Sequence, residues 1–207
     1  MRPSKFTDPR YVRAFREIVA RLGRALGTAP QAPVRMYVAG GAAVHFYTGC
    51  RISEDIDAAL SHRIVAGDAL EVSYSDAHGE PRLLYFDKQY NETFALVHRD
   101  AHDDSIPLAF PGLARHPIEV RLFSPLNLAV SKLARFAAHD RGGIRALARA
   151  GLIEPRALRR RAEEALGGYV GDPSSVRTSI ALACDIVRRA RSSRRSRARA
   201  PSRVPAR

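Results

Sequence analysis

Apolar residues recur at helical spacing near the start of the chain. Asp8-Pro9 has the form of an N-cap followed by proline in the first helical turn, and we expect this helix to end near Gly27. The apolar positions that would face the core are Phe15, Ile18, Val19, Leu22 and Leu26. The pattern predicts an amphipathic first helix.

Shorter apolar runs follow this helix. Residues 34–38 predict a strand that Gly40-Gly41 stops, the small residues of 42–47 predict one or two helical turns, and residues 56–60 predict a second strand. Further segments of strand character, separated by turn-like groups, are 70–74, 82–86, 93–98, 105–110 and 118–123.

The pattern becomes helical from Ser124 onwards, because X-Pro pairs open three of the next four segments and a glycine pair closes one of these three. The predicted helices cover 124–139, 142–150, 154–167 and 172–189. We therefore expect an α/β (α+β) fold. A mixed β-sheet core would occupy residues 1–123, and a C-terminal helical bundle of the same domain would occupy 124–187.

The composition fits a single globular domain. With 207 residues and a hydrophobic share of 45%, the chain can bury a substantial core. The two cysteines, Cys50 and Cys184, are far apart in sequence, which favours a reducing, cytoplasmic environment. No apolar run approaches the ~20 residues that cross a bilayer, and no apolar stretch of a secretory signal follows the start.

The basic charge is concentrated at the C-terminal end. The formal net charge is +13, and residues 188–207 contain nine arginines and no acid. This segment lacks apolar periodicity, so we expect a disordered tail. It either binds RNA or another polyanion electrostatically or is a solvated extension without a dedicated partner.

Two aspartates in an apolar run carry the main chemical signal. On a strand, Asp55 and Asp57 would point to the same face, roughly 6.5 Å apart. Two close carboxylates repel unless a cation lies between them, and Mg²⁺ prefers carboxylates together with substrate phosphates and water. Gly40 and Gly41 would let phosphate oxygens approach the backbone, and the next helix would offer them free N–H groups. The combination predicts a nucleoside triphosphate site, although a Gly-Gly pair alone is usually a turn.

The run AGGAAVHFYTGCRISEDIDAAL, residues 39–60, resembles the core motif of the DNA-polymerase-beta-like nucleotidyltransferase superfamily. In that motif a Gly-Gly or Gly-Ser pair and a helix precede Asp-x-Asp on a strand. The end of the run resembles the small bacterial branch related to abortive-infection (AbiEii-like) and toxin–antitoxin nucleotidyltransferases. Residues 122–144, LFSPLNLAVSKLARFAAHDRGGI, resemble the second block of that branch, in which a Ser-Pro helix start leads to a lysine.

The resemblance implies a role for each matching residue. The implied metal ligands are Asp55 and Asp57. The implied nucleotide-binding residues are Gly40, Gly41, Arg51, Ser53 and Lys132. Of these, Arg51 and Ser53 would shape the rim of the site. The lysine is one of only three in the chain. A compact ammonium suits point-charge contact with a phosphate, but a snorkelling surface lysine would give the same signal.

Two departures from the branch pattern bear on activity. Asn127 stands where the branch usually has an acid, and Gly142-Gly143 replaces an acidic pair. Such sites often need a third carboxylate as ligand or general base. The candidates are Asp140, Glu119 and Asp104, of which Asp140 is preferred. If Asp140 only caps the next helix, the enzyme would be slow or impaired.

The expected function is a Mg²⁺-dependent nucleotidyltransferase with Asp55, Asp57 and Asp140 as its catalytic acids. It would move a nucleoside monophosphate from a nucleoside triphosphate to a hydroxyl of RNA, such as a tRNA end, or of a protein. The toxin-like kinship suggests a toxin–antitoxin component with an antitoxin partner, and no membrane partner is expected. The alternatives are a non-catalytic nucleic-acid-binding protein that uses the Arg-rich tail and a degenerate member of the superfamily.

Other chemistry-bearing residues give weaker signals. His98 and His102 have the i, i+4 spacing of a helical zinc pair, but they lie in a predicted strand end and loop without the glutamate of a metalloprotease motif. We interpret them as incidental surface histidines and Cys50 as a packing residue.

Overall fold

The computed structural model describes residues 1–26, 32–64, 70–93, 95–109 and 116–199, with side chains in the last helix described as far as Arg194. Over these residues the protein has six helices and two mixed sheets, which confirms the α+β class. The elements are α1 (Pro9–Ala25), β1 (Val34–Val38), α2 (Gly40–Thr48), β2 (Asp55–Ile56), β3 (Ala58–Leu60), β4 (Glu71–Ser75), β5 (Pro81–Phe86), β6 (Ile106–Pro107), β7 (Ile118–Leu122), α3 (Pro125–Ser131), α4 (Ala138–Ala150), α5 (Pro155–Leu166) and α6 (Pro173–Arg199).

The two sheets differ in size and pairing. The four-stranded sheet has the order β3-β1-β7-β6, and its central pair, β1 and β7, is parallel. The three-stranded sheet has the order β2-β5-β4, in which β2 and β5 are parallel and β4 is antiparallel to β5. Helix α1 packs on the smaller sheet through fully buried side chains that include Tyr11, Phe15 and Ile18. The predicted end of α1 near Gly27 lies outside the described residues.

The segment predicted as one strand over 56–60 is two strands of different sheets. β2 pairs with β5 in the smaller sheet, whereas β3 pairs with β1 in the larger one, and Asp57 lies between them. The Ala39 N–H donates a hydrogen bond to the Asp57 carbonyl at 2.8 Å. The prediction of one strand is therefore wrong, and the Asp-x-Asp pair lies at the junction of the two sheets.

The other predicted strands are confirmed in part. β4, β5 and β7 match the segments 70–74, 82–86 and 118–123, but the segment 105–110 contributes only the two residues of β6. Phe110 lies outside the described residues. The described part of 93–98 contains no strand, because its buried Leu96 and His98 belong to a packed loop.

The first two predicted C-terminal helices have different bounds. α3 ends at Ser131, and Phe136 has a φ of 48°, a left-handed value that an α-helix cannot contain. α4 then begins at Ala138, earlier than predicted. The helix predicted over 154–167 is confirmed as α5.

Helix α6 is longer than predicted and replaces the start of the predicted disordered tail. It continues to Arg199, so the tail prediction is wrong for residues 188–199, and residues 200–207 lie outside the described part of the chain. Ala190 is buried, and Arg191 donates a hydrogen bond to the Ile153 carbonyl at 3.0 Å and pairs with Glu154. Arginine is also a good helix former, so local propensity and packing both extend the helix.

Candidate functional site

Three carboxylates lie where the smaller sheet meets the larger one. Asp55 is in β2, Asp57 follows β2, and Asp87 directly follows the parallel strand β5. The Asp87 N–H donates to the Ile56 carbonyl at 3.2 Å, which holds the ends of the two strands together. Because parallel strands bring their carboxyl ends to one edge of a sheet, Asp57 and Asp87 lie at the same edge.

These carboxylates line two adjoining cavities of about 520 and 490 Å³. Asp55 and Asp57 both line the larger cavity, so the pair does not point to opposite surfaces. The residues that line both cavities are Gly40, Asp57, Asp87, Lys132 and Arg135. Each volume is in the range of ligand pockets, which is roughly 300–1,000 Å³.

Asp57 is the most perturbed acid of the site. Burial and the negative charges of Asp55 and Asp87 raise the pKa of Asp57 to about 6, although the charges of Lys132 and Arg135 act in the opposite direction. The protein's own cations therefore do not balance this carboxylate. Such a crowded, desolvated acid favours a proton or a metal ion as its partner.

Ser53 positions the first aspartate of the pair. Its buried hydroxyl donates a hydrogen bond to Asp55 Oδ1 at 2.5 Å. Arg51 lines the larger cavity and has an exposed side chain and a φ of 44°. Both predicted rim residues are thus at the cavity, but Ser53 acts on Asp55 and is not free at the rim.

The two glycines make room for the side chains of Asp57 and Ser53 as well as for any ligand. Gly40 has a φ of 59°, and a methyl group there would collide with the Asp57 carboxylate. A methyl group at Gly41 would collide with the Ser53 hydroxyl. Both glycines begin α2 and line the larger cavity, so the first turn of this helix faces the site. The free N–H groups of such a turn form a favourable environment for an anion.

Lys132 also lines both cavities. It caps α3, and its side chain is only 8% exposed. Burial lowers the pKa of the Lys132 ammonium, whereas Asp140 and Asp57 favour its charged form. Its Nζ is 3.7 Å from Asp140 Oδ1. The residue is therefore a buried cation directed at the site and not a snorkelling surface lysine.

Asp140 is paired within the protein. Arg135 donates to its two oxygens at 2.9 and 3.0 Å, and the Ala137 N–H donates to Oδ2 at 3.0 Å, which caps α4. Burial opposes ionisation, but these hydrogen bonds and the charge of Lys132 hold the pKa of Asp140 below its ordinary value. Asp140 borders the smaller cavity, yet it acts as a helix cap and counter-ion. This differs from its predicted role as the third catalytic acid.

Asp87 was missed because the sequence offered several equivalent acids. Glu119 pairs with Arg121 at 2.6 Å, and Asp104 pairs with Arg161, so both are engaged elsewhere and line neither cavity. The available signal was the position of Asp87 directly after the apolar strand RLLYF, which resembles the position of Asp57 after β2.

The donor set fits a metal ion that arrives with phosphates. Over the described residues, no group of three or more His, Cys, Asp or Glu side chains is arranged to hold a metal ion by itself. Mg²⁺ usually takes one or two carboxylates and fills its remaining positions with phosphate oxygens and water. Asp55 and Asp57 supply that number, and Asp87 adds negative charge nearby.

The histidines do not form a metal pair. His98 is buried among Asp100, Arg161 and Glu164, whereas the His102 ring stacks on Tyr37 with ring centroids 4.2 Å apart. They therefore have separate structural environments, and the interpretation as surface histidines is wrong for His98, because its side chain is buried.

No described helix combines the length and the apolar character that a membrane span requires. Comparison of the chain with protein-family models, with curated proteins and with solved structures finds no match.

Proposed function

We propose that the protein is a Mg²⁺-dependent nucleotidyltransferase of the DNA-polymerase-beta-like superfamily. The observation that carries the proposal is the pair Asp55 and Asp57, which lines one cavity together with Lys132 and the first turn of α2. Negative charge crowds around Asp57, and the anion-binding groups of Lys132 and of the first turn of α2 line the same cavity. A nucleoside triphosphate with its metal ion complements both.

The protein's residues divide the reaction between them. The N–H groups of α2 and the Lys132 ammonium bind the triphosphate, and Arg135 adds charge near the leaving group. Asp55 and Asp57 hold Mg²⁺, which supplies charge neutralisation at the phosphates. The acceptor hydroxyl attacks the α-phosphorus, its proton passes to the Asp87 carboxylate, and the bond between the α- and β-phosphates breaks to release pyrophosphate.

The acceptor and context of the proposal follow from the resemblance. The hydroxyl belongs to RNA, such as a tRNA end, or to a protein side chain. The kinship with toxin–antitoxin enzymes adds a cytoplasmic setting and an antitoxin partner, on the strength of analogy alone.

The test is transfer of radiolabel from α-labelled nucleoside triphosphates, in Mg²⁺, to total RNA or to lysate protein. We expect transfer by the native protein and a loss of about 10³-fold or more in Asp57→Asn. Asp185→Asn is the matched control, because this exposed carboxylate on α6 pairs with Arg188 outside the site. Equal transfer by native protein and Asp57→Asn would overturn the proposal. Salt-sensitive RNA binding without transfer would favour the nucleic-acid-binding alternative.

A further inference from the structure

Helix α4 carries a stripe of exposed arginines beside the larger cavity. Arg141, Arg145 and Arg149 are all exposed and are spaced four residues apart. Successive members are therefore about 6 Å apart along the helix axis and lie on one face. We call these three residues the α4 arginine stripe.

The stripe borders the mouth of the cavity. His139, Gly142, Gly143 and Ala146 of the same helix line the larger cavity. At about 100° per residue, the arginine face lies between this cavity-lining face, which it meets at Gly142, and the buried face with Ile144, Leu147 and Ala148. A chain lying on the stripe can therefore continue directly into the cavity.

The guanidinium groups of the stripe are available to an external anion. Over the described residues none of the three forms an ion pair, and the polar contact of Arg141 is with the face of the Phe136 ring, 5.7 Å from its centroid. The neighbouring helix α5 differs, because Arg159 pairs with Glu163 and Arg160 with Glu164 at i, i+4 spacing. Arg159 and Arg160 are thus paired within α5, whereas the three arginines of the stripe have no acidic partner among the described residues.

The surface between the stripe and the cavity permits close approach. A methyl group at Gly142 would meet no atom within 4 Å, so the backbone there is open to solvent. Gly142-Gly143 carries no charged side chain, so this part of the rim does not repel a phosphate.

We infer that the α4 arginine stripe binds the phosphate backbone of an RNA acceptor and directs its reactive hydroxyl into the larger cavity. The part of this inference in which the hydroxyl enters the cavity rests on the proposed function. The row of unpaired guanidinium groups complements a row of phosphates. A membrane surface is disfavoured, because the exposed face of α4 carries alanine and no large apolar side chain that could enter lipid.

The test measures RNA binding without catalysis. In an Asp57→Asn background, the affinity for fluorescein-labelled polyuridylate and for deacylated tRNA is followed by anisotropy over a series of salt concentrations. The triple substitution of Arg141, Arg145 and Arg149 by Gln, which keeps helix propensity, is expected to weaken binding about tenfold or more. It is also expected to reduce the slope of log affinity against log salt by about 2.

Two control triples remove the same charge elsewhere. One replaces Arg156, Arg159 and Arg160 of α5 by Gln, and the other replaces Arg188, Arg189 and Arg194 of α6. Both are expected to retain the affinity and the salt slope to within about twofold, since they leave the stripe intact. Binding that falls equally in all three triples, or only in the α6 triple, would overturn the inference.

Activity separates this inference from the proposed function. With Asp57 intact, the α4 triple is expected to raise KM for RNA and leave KM for the nucleotide unchanged. If RNA binding depends on the stripe but no nucleotidyl transfer occurs, the proposed function is refuted and the stripe is still supported as an RNA site. Transfer to protein that is unaffected by the α4 triple would overturn the RNA assignment and keep the enzyme.

Discussion

Asp57 and Asp140 are the same residue type at the edges of the same cavity, yet their environments are opposite. Asp140 has Arg135, Lys132 and a helix N–H as partners, and its pKa is lowered. Asp57 is crowded by Asp55 and Asp87, and its pKa is raised to about 6. A carboxylate with built-in partners stabilises the fold. A carboxylate without such partners leaves its negative charge available to an external cation.

The largest expected effect comes from the third acid. Asp87→Asn removes the proposed general base and one negative charge near Asp57. We therefore expect kcat/KM for nucleotidyl transfer to fall by about 10³-fold, whereas the melting temperature is expected to stay the same. Steady-state kinetics and thermal unfolding check this. If the variant keeps its activity within about tenfold of the native value, Asp87 is not the general base and another residue must have that role.

The comparison predicts stability changes of opposite sign. Asp140→Asn leaves Arg135 and Lys132 without their anion, so we expect the free energy of unfolding to fall by about 2 kcal/mol at neutral pH. Asp57→Asn relieves charge crowding, so we expect the metal-free protein to gain about 1–2 kcal/mol at pH 8. Denaturant unfolding in EDTA measures both.

The pH dependence follows from the directions of the shifts. Because the pKa of Asp57 is raised, the associated stability is complete below its ordinary pKa near 4 and is lost as pH rises through about 6. The gain in Asp57→Asn is therefore expected to vanish near pH 4. The pKa of Asp140 is lowered, so its contribution is present above about 4 and is lost as pH falls through the lowered value. The same sign for both variants at pH 8 would refute the contrast.

The smallest expected effect is stabilisation by the metal ion alone. At about ten times its Kd, Mg²⁺ is expected to stabilise the native protein by about 1.4 kcal/mol. This stabilisation by Mg²⁺ is expected to decrease below pH 6, because a proton then competes with the ion for Asp57. Thermal unfolding with and without Mg²⁺ checks this. Asp140→Asn is expected to keep the response and Asp57→Asn to lose it. A response that survives Asp57→Asn would place the ion elsewhere.

Local patterns predicted the parts of the site that are close in sequence. The helical spacing from Phe15 to Leu22 and the strand over 34–38 matched α1 and β1, because each pattern reports burial on one element. The Gly40-Gly41 pair and Asp55-x-Asp57 were found for the same reason, as neighbours on consecutive elements.

The remaining parts of the fold and of the site depend mostly on contacts between residues that are far apart in sequence, so local patterns did not predict them. Asp87 reaches the site through the parallel pairing of β5 with β2, which no local pattern reports. The turn after α3 depends on Asp140, whose contacts with Arg135 and Ala137 cap α4 and break the predicted long helix. The split of 56–60 into two strands depends on which partner each half finds, and the extension of α6 depends on contacts with Ile153 and Glu154.

The position of Asp57 between β2 and β3 has a mechanical consequence. The chain crosses from one sheet to the other at this residue, and β2 and β3 are only two and three residues long. Any sliding of one sheet against the other would turn this carboxylate away from its neighbours. A ligand bound to Asp57 therefore restrains the junction of the two sheets, so that ligand occupancy and the rigidity of this junction increase and decrease together.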